Sequence, residues 1–305
     1  NPDGDALGSA LALYYYIIDK GKKARICVYG EIPYNMEFLP GIEKVVNYEK
    51  EPVYDEILNS DLIVVADLND LSRIRSLADP IKKSKAPKIV IDHHIEPKDF
   101  ADIYLVNPDA SSTGELIWKL LDYDTEFNLS KTIAELLYVA IMTDTGSFRF
   151  PRTTGNLHRI IASLIDAGAD PVLLYDNVYN TNPFRTMKLL GEAFASMELF
   201  HDGKLCLMRV TDEMFKKTCS VEDDIENFVE KTLSIRGVKL GILISEIKQR
   251  NEIRISFRSK GDIDSRSLAA RFGGGGHFHA SGARVYGREY SELVNNVIES
   301  AGKIL

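Results

Sequence analysis

Two short apolar runs constrain the fold of this chain more than any other feature. Residues 62–66 and 88–91 are almost continuously apolar, as expected of strands that are buried on both faces of a sheet. The segment between them, residues 71–85, has the length of a crossover helix. A strand, a helix and a second strand in this order predict an α/β fold whose N-terminal sheet is mostly parallel and doubly wound.

Acidic and imidazole side chains follow both runs directly. Asp67 comes after the first run, and Asp92, His93 and His94 come after the second. Because ligands of open parallel sheets bind beyond the carboxyl ends of the strands, we expect these side chains to meet at one edge. Two adjacent histidines beside an acid are also unusual in a chain that has six histidines. The pattern therefore predicts a functional site.

The N-terminal segment adds two carboxylates. Asp3 and Asp5 precede a predicted helix over residues 7–20, and in an extended segment they would project to the same side. The N-terminal end of that helix favours anionic groups. The alternative is a structural turn in which Asp5 caps the helix.

Asp144 ends another predicted helix, residues 132–143, and completes a set of metal-binding side chains. The set offers oxygen and nitrogen ligands without a thiolate, and it consists of Asp3, Asp5, Asp67, His93 and Asp144. Such ligands suit Mn²⁺ or Mg²⁺, and imidazole favours Mn²⁺. Two such ions can share a carboxylate, activate a water and clamp a phosphoryl oxygen. The sequence thus predicts two metals per chain and a metal-dependent phosphoesterase.

The second half of the chain predicts a smaller C-terminal α/β domain. We expect a metal-binding domain over residues 1–182, a linker and bridging helix over 183–203, and a substrate-binding domain over 204–305, with the active site in the cleft between the domains. Within the last of these, strands are predicted over residues 204–210, 237–247 and 252–257. A glycine-rich loop exposes backbone N–H groups to phosphate, and an arginine at a strand end suits a second anionic group. The predicted substrate-binding residues are Arg258, Ser259, Gly274, Gly275, Gly276 and His277.

Composition limits the partners of the protein. The 305 residues are 45% apolar and 27% charged, as in soluble globular proteins. A net charge of −8 argues against a broad surface for nucleic acid but allows a short nucleotide held by a few arginines and metals. Three cysteines without metal-binding spacing are typical of the cytoplasm, and no apolar run reaches the ~18 residues of a membrane span.

Several segments, taken in chain order, resemble the motifs of the DHH phosphoesterase superfamily with a DHH-associated C-terminal domain. They are the segment from Asn1 to Ser9, Asp67, Asp92-His93-His94, Asp144-Thr145-Gly146 and the glycine loop that ends at His277. The resemblance spans nearly the whole chain, and its length and layout are most like the bacterial nano-RNase and pAp-phosphatase branch. RecJ-type exonucleases share the motifs but are longer, and family II inorganic pyrophosphatases lack the Gly-Gly-Gly-His loop.

The resemblance also implies roles for individual residues. Asp3 and Asp67 would bind one metal, and the other metal would be bound by Asp5, Asp67, His93 and Asp144, so that Asp67 bridges the two. His94 would contact the scissile phosphate, with Asp92 orienting the histidine pair, and the loop at His277 would receive the substrate. The family has a further metal-binding histidine just upstream of its Asn-Pro-Asp segment, and we expect it in residues that precede Asn1.

The activity that the resemblance implies is hydrolysis of short oligoribonucleotides, with removal of the 3′-phosphate of adenosine 3′,5′-bisphosphate. Cyclic di-AMP, pApA, longer single strands as for RecJ, and polyphosphate are alternative substrates. A non-catalytic nucleotide-sensing module is the alternative from another class, but the complete set of acids and histidines disfavours it. A homodimer is an open alternative to a monomer.

Overall fold

The computed structural model describes residues 2–305. Asn1, the first residue of the N-terminal motif, lies outside them. The chain divides into two compact units, the first extending to Thr181 and the second running from Asn182 to Leu305. The three-part domain boundaries expected from the sequence, and the cleft between the domains, stay predictions. Among the helices of residues 2–305, none has the length and hydropathy to cross a membrane.

The first unit is a mixed α/β structure with parallel strands, which confirms the predicted fold class. Its helices are α1 (Gly4–Asp19), α2 (Tyr54–Leu58), α3 (Ala78–Lys83), α4 (Thr113–Asp122), α5 (Lys131–Asp144), α6 (Gly155–Asp166) and α7 (Pro171–Tyr179). Its strands are β1 (Ile26–Val28), β2 (Val45–Asn47), β3 (Ile63–Ala66), β4 (Lys88–Asp92) and β5 (Ile103–Val106). Short 3₁₀ turns lie at Tyr34–Met36, Ile42–Lys44 and Leu71–Leu77.

The two apolar runs form neighbouring parallel strands. β4 lies between β3 and β5 and is parallel to both, with Ala66 opposite Ile91 at the end of the first pair. β1 and β2 form a separate parallel pair. Because β3 and β4 run in the same direction, the residues that follow them emerge at one edge of this sheet.

Two predicted elements of the first unit are wrong. Residues 71–85 form a 3₁₀ turn and the short helix α3 instead of one crossover helix, and Arg75 between them has a φ of 43°. Pro80 explains the break, because its ring would clash with the carbonyl four residues earlier in a continuous helix. The extended segment at Asp3 and Asp5 is also absent, since α1 begins at Gly4 with Asp3 as its N-cap.

The second unit is a sheet covered by helices. Its helices are α8 (Phe184–Ala195), α9 (Asp212–Thr218), α10 (Phe228–Thr232), α11 (Ser265–Ala270) and α12 (Tyr290–Gly302). Its strands are β6 (Glu198–Phe200), β7 (Leu205–Val210), β8 (Leu240–Ile247), β9 (Glu252–Ser259), β10 (Gly275–Gly276) and β11 (Ala280–Tyr286). Further 3₁₀ turns lie at Glu222–Ile225 and Lys248–Arg250.

The strands of this sheet lie in the order β10-β11-β9-β8-β7-β6, and β7 and β8 are its parallel pair. The strands predicted from the sequence are present within a few residues of their expected bounds. The bridging helix predicted within residues 183–203 is wrong at its C-terminal end, where the chain leaves α8 and forms β6. Pairing of β6 with β7 explains the difference, because it is a contact between segments that local periodicity does not encode.

Candidate metal centre

Close packing of two helices brings the N-terminal end of α1 to the C-terminal end of α5. A Cβ atom on Gly4 would lie 2.6 Å from the Thr143 side chain, and one on Gly8 would lie 2.5 Å from the Leu136 carbonyl oxygen. Glycine at these positions therefore lets the helix backbones approach. As a result Asp5, in the first turn of α1, lies near Asp144, the last residue of α5.

Asp5 also lies at the N-terminal end of α4, where backbone N–H groups point at it. Its carboxylate accepts hydrogen bonds from the backbone N–H groups of Thr113 (2.7 Å) and Gly114 (2.9 Å), and from the Ser9 hydroxyl (3.0 Å). The side chain is 1% exposed. These bonds hold the carboxylate in one orientation, and the helix N-terminus favours its negative charge.

Asp67 turns away from the end of β3 with a left-handed backbone. Its φ is 57°, a conformation that aspartate adopts more readily than most residues. Its backbone N–H still donates to the Ile91 carbonyl (2.9 Å), so the residue stays attached to β4. The Thr113 hydroxyl donates to its carboxylate (2.9 Å). Thr113 thus holds both Asp5 and Asp67.

His93 lies at the centre of these acids. Its Nε2 is 3.1 Å from an Asp144 carboxylate oxygen, 3.7 Å from one of Asp67 and 3.8 Å from one of Asp5. One group of ligand-capable atoms, all within 4.8 Å of one another, comes from Asp5, His93 and Asp144, and a second comes from Asp67, His93 and His94. The structure therefore brings four of the five predicted ligands together: His93, and the carboxylates of Asp5, Asp67 and Asp144 around its Nε2 atom.

The fifth predicted ligand, Asp3, is an exposed neighbour of this cluster. Its carboxylate accepts a hydrogen bond from the Ala6 backbone N–H (3.0 Å) as the N-cap of α1. Its negative charge raises the pKa of Asp5, Asp67 and Asp144. Asp3 is therefore close enough to act on the cluster electrostatically while it caps the helix.

The carboxylates repel one another in a poorly solvated site. Burial is the main cause that raises the pKa of Asp5 to about 7 and that of Asp144 to about 8, and neighbouring carboxylates add to both shifts. The pKa of Asp67 is raised well above its usual range by the same two causes. Burial, followed by the neighbouring His94, lowers the pKa of His93 to about 4. At neutral pH His93 is uncharged and cannot neutralise the acids.

A divalent cation fits this arrangement. In the part of the chain that the structure describes, the ion-pair partners of Asp5, Asp67 and Asp144 are His93 and His94. Arg152 lowers the pKa of Asp144, but its effect is smaller than those of burial, Asp5 and Asp3. A neutral imidazole and several carboxylates are the forms in which these side chains bind metal. The raised pKa values mean that protons balance part of the negative charge in the metal-free site, and a divalent cation would replace those protons.

Asp92 and His94 form a hydrogen-bonded pair beside the cluster. The Asp92 carboxylate is fully buried and accepts from the His93 backbone N–H (2.9 Å), while the same oxygen is 2.7 Å from His94 Nδ1. The rings of His93 and His94 meet at a steep angle of 61°, with centroids 4.6 Å apart. Asp92 therefore orients the His94 ring and fixes the backbone at His93.

The predicted substrate-binding residues of the second unit lie around β9, β10 and β11. Gly274 and Gly276 have structural reasons to be glycine: a Cβ atom would lie 2.1 Å from the Gly282 carbonyl oxygen and 2.6 Å from that of Ala280, respectively. Gly275 faces open space. Arg258 lies opposite Ala280 on the neighbouring strand.

The remaining two predicted residues differ in their surroundings. The Ser259 hydroxyl is buried and lies 2.6 Å from the Ile263 carbonyl oxygen. The His277 backbone N–H donates to the Ala280 carbonyl (2.7 Å), while the residue itself is exposed. Their substrate-binding role stays a prediction.

Sequence reasoning missed three residues that act on the candidate metal centre: Thr113, Gly114 and Arg152. A signal for the first two was present, because Ser112 and Glu115 have the spacing of a helix capping box. The Ser112 hydroxyl does accept from the Glu115 backbone N–H (3.0 Å), which starts α4 next to Asp5. No sequence signal connects Arg152 to the site, since its effect depends on the fold.

The fold and the site define a metal-dependent hydrolase of the phosphoesterase type, with a parallel sheet whose strand ends deliver carboxylates and imidazoles. Comparison with known families then identifies the family of this chain. The sequence model of the DHH family N-terminal domain matches residues 1–141, and that of the DHHA1 domain matches residues 218–303. The chain belongs to the DHH family.

Similar proteins cover almost the entire chain. The bifunctional oligoribonuclease and PAP phosphatase NrnA of Bacillus subtilis is 29% identical over 306 residues, covering 99% of this chain and 92% of the relative. Its namesake from Thermus thermophilus is 27% identical over 300 residues, covering 98% and 86%. A crystal structure of an exopolyphosphatase-related protein from Bacteroides fragilis is 34% identical, with a TM-score of 0.94, 99% of this chain covered and 89% of that chain.

Proposed function

We propose that this protein is a Mn²⁺-dependent phosphoesterase that degrades short oligoribonucleotides and converts adenosine 3′,5′-bisphosphate to AMP. The convergence of His93 Nε2 with the carboxylates of Asp5, Asp67 and Asp144 carries the proposal. The activity named for the Bacillus and Thermus relatives supports the choice of substrate. Manganese rather than magnesium follows from the imidazole in the ligand set.

Two ions would be held by these side chains. Asp5, Asp67, His93 and Asp144 would bind one of them. Asp3 and Asp67 would bind the other, so that Asp67 is shared. When bound, such ions supply Lewis-acid stabilisation of the phosphoryl oxygens and lower the pKa of water.

The protein's own groups would orient the site. Thr113 holds the carboxylates of Asp5 and Asp67 in place through its backbone N–H and its hydroxyl. The Asp92 carboxylate lies 2.7 Å from Nδ1 of His94 and so holds the His94 ring in one orientation. His94 would then contact an oxygen of the scissile phosphate.

The second unit would hold the phosphate groups of the substrate. Arg258 and His277 offer charged or polar donors, and the Gly275 backbone is open to approach. This set can hold the phosphates at one end of a substrate, and a chain of net charge −8 repels a longer backbone. We therefore expect a preference for two to five nucleotides.

The test is product analysis on substrates of different length and chemistry. The Mn²⁺-loaded protein is incubated with a 3-mer and a 24-mer of one RNA sequence, adenosine 3′,5′-bisphosphate, pApA, cyclic di-AMP and polyphosphate. The expected result is a higher kcat/KM for the 3-mer than for the 24-mer, with AMP formed from the bisphosphate. Equal or faster degradation of the 24-mer would favour a RecJ-like activity, and turnover of polyphosphate or cyclic di-AMP alone would replace the proposed substrate.

A further inference from the structure

The glycine loop ends in a tight hairpin turn whose corner carries a phenylalanine and a histidine. The backbone N–H of His277 donates to the Ala280 carbonyl (2.7 Å), and that of Ala280 donates back to His277 (3.3 Å). The two residues between them, Phe278 and His279, form the hairpin corner that joins β10 to β11. Such corners favour glycine, asparagine or aspartate where the turn requires a positive φ. Neither Phe278 nor His279 has a positive φ, so the backbone of this corner accepts any side chain. A phenylalanine here is not explained by the requirements of the turn.

Packing does not explain Phe278 either. The residue is 43% exposed, at the first position of the two-residue turn. Its backbone, in contrast, is held firmly. The Phe278 carbonyl accepts from the Ser265 backbone N–H (2.8 Å) and from the Ser265 hydroxyl (3.0 Å), and Ser265 is fully buried. The position thus combines a rigid backbone with an exposed aromatic ring.

The ring of Phe278 also has a partner that limits its orientation. It meets the His279 ring nearly edge to face, at an angle of 84° and a centroid distance of 4.8 Å. His279 Nδ1 is 3.0 Å from the hydroxyl oxygen of buried Ser259. Because Ser259 directs its single hydrogen to a carbonyl, most closely that of Ile263 (2.6 Å), His279 Nδ1 is the donor in this contact. The Ser259 bond therefore fixes the His279 ring beside Phe278.

Groups suited to phosphate lie within a few residues of the hairpin corner. Arg258 is the strand partner of Ala280, directly after the corner. Gly275 and His277 precede the corner. A nucleotide carries a base and a phosphate in a fixed covalent relation, so a site for it needs an anion-binding group and a flat apolar surface close together. The hairpin places the exposed Phe278 ring within a few residues of these candidate phosphate-binding groups.

We propose that Phe278 is a nucleobase-stacking residue that makes the second unit specific for nucleotides over other phosphate compounds. The inference rests on the proposed function and adds the chemical class that the site recognises. Every nucleobase has a π-face, so stacking on one phenylalanine tolerates any base sequence. Polyphosphate has no base and gains nothing from this contact.

The experiment measures binding without turnover. Adenosine 5′-monophosphate and ribose 5-phosphate share the phosphate and the sugar and differ in the base, so the ratio of their Kd values reports the contribution of stacking. Both ligands are titrated into the full chain in a chelator, and binding is followed by ligand-observed NMR. In the wild type, the AMP should bind tighter by roughly tenfold or more. In Phe278→Ala the ratio should fall close to one.

Two variants serve as controls. Phe278→Trp keeps an aromatic face and should keep the ratio. Tyr286→Ala removes a 59% exposed ring from the far end of β11 and should also leave the ratio unchanged. Thermal melts establish that each variant is folded. A ratio that persists in Phe278→Ala, or that is absent from the wild type, would overturn the inference.

The stacking role of Phe278 and the proposed hydrolysis can fail independently of each other. If the wild type binds AMP more tightly than ribose 5-phosphate in a Phe278-dependent way but hydrolyses no oligonucleotide with Mn²⁺, the stacking residue stands and the proposed reaction fails. If oligonucleotides are hydrolysed and the ratio does not depend on Phe278, the reaction stands and the stacking residue fails.

Discussion

The candidate metal centre and the hairpin corner differ in the burial and the charge of their functional side chains. In the metal centre the functional side chains are mostly buried, and their like charges raise one another's pKa. At the hairpin corner the functional side chain is exposed, and the polar groups of the backbone are satisfied within the unit. Without a cation, the candidate metal centre therefore destabilises the folded chain, whereas the hairpin corner needs no ligand for its stability. Substitutions in the candidate metal centre should change stability, and substitutions at the hairpin corner should change ligand binding.

The strongest test of this contrast is Asp67→Ala. Because Asp67 is proposed to serve both ions, its loss should lower kcat on every substrate by about three orders of magnitude or more, as for residues that act as a unit. The matched control is Asp61→Ala, which removes an exposed acid just before β3 and should leave activity unchanged. Hydrolysis rates are measured with circular dichroism as a check of folding. A folded variant with more than a tenth of wild-type kcat would contradict the shared role.

His277→Ala tests whether the hairpin of the second unit binds substrate without binding metal. Loss of a hydrogen bond to a charged phosphate should reduce kcat/KM by about 10- to 100-fold. The number of manganese ions per chain, measured by elemental analysis, should stay as in the wild type. A lost ion would mean that His277 is a metal ligand and that the division of roles between the two regions is wrong.

Asp144→Asn should stabilise the metal-free protein at high pH. The pKa of Asp144 is raised to about 8 in the folded chain, so the folded state binds its proton more tightly than the unfolded state. Stability of the metal-free wild type should therefore fall as pH rises from about 4 to about 8. Asparagine removes this penalty and should raise the free energy of unfolding at pH 8 by at least about 1 kcal/mol.

Urea unfolding in a chelator at pH 5 and pH 8 measures this effect. The advantage of the variant should shrink at pH 5, where the wild-type carboxyl is protonated in the folded state. With Mn²⁺ present the order should reverse, because metal binding stabilises the folded wild type. A variant that is less stable than the wild type at pH 8 without metal would show that the charged Asp144 carboxylate does not destabilise the folded chain.

The smallest expected effect is that of Gly275→Ala on stability. Because a Cβ atom at Gly275 would meet no atom within 4 Å, the free energy of unfolding should change by less than about 0.5 kcal/mol. Gly274→Ala is the matched contrast, since its Cβ atom would lie 2.1 Å from the Gly282 carbonyl oxygen, and it should be clearly destabilising. Equal stability losses in the two variants would show that the open side of the hairpin is needed for folding.

Much of the fold followed from local patterns. The parallel pair β3 and β4 was predictable because buried strands are continuously apolar, and the helix ending at Asp144 because its period and its Ser130 cap are local. The helix across residues 71–85 and the end of the bridging helix were not predicted correctly. In both cases a feature outside the periodic pattern decided the outcome: a proline in the first and pairing with β7 in the second.

For the metal centre, the sequence by itself determined which side chains follow the strands and that their chemistry suits hard divalent metals. Only the tertiary structure decided that Asp5 lies in a helix, that Thr113 holds two of the acids, and that His93 lies among them. The reason is physical: strand ends and residue types are local properties, whereas a distance of a few ångströms depends on how closely α1, α4 and α5 pack. The same holds for Phe278, which the sequence shows only as one aromatic among many, and which the turn and its hydrogen bonds place on the surface.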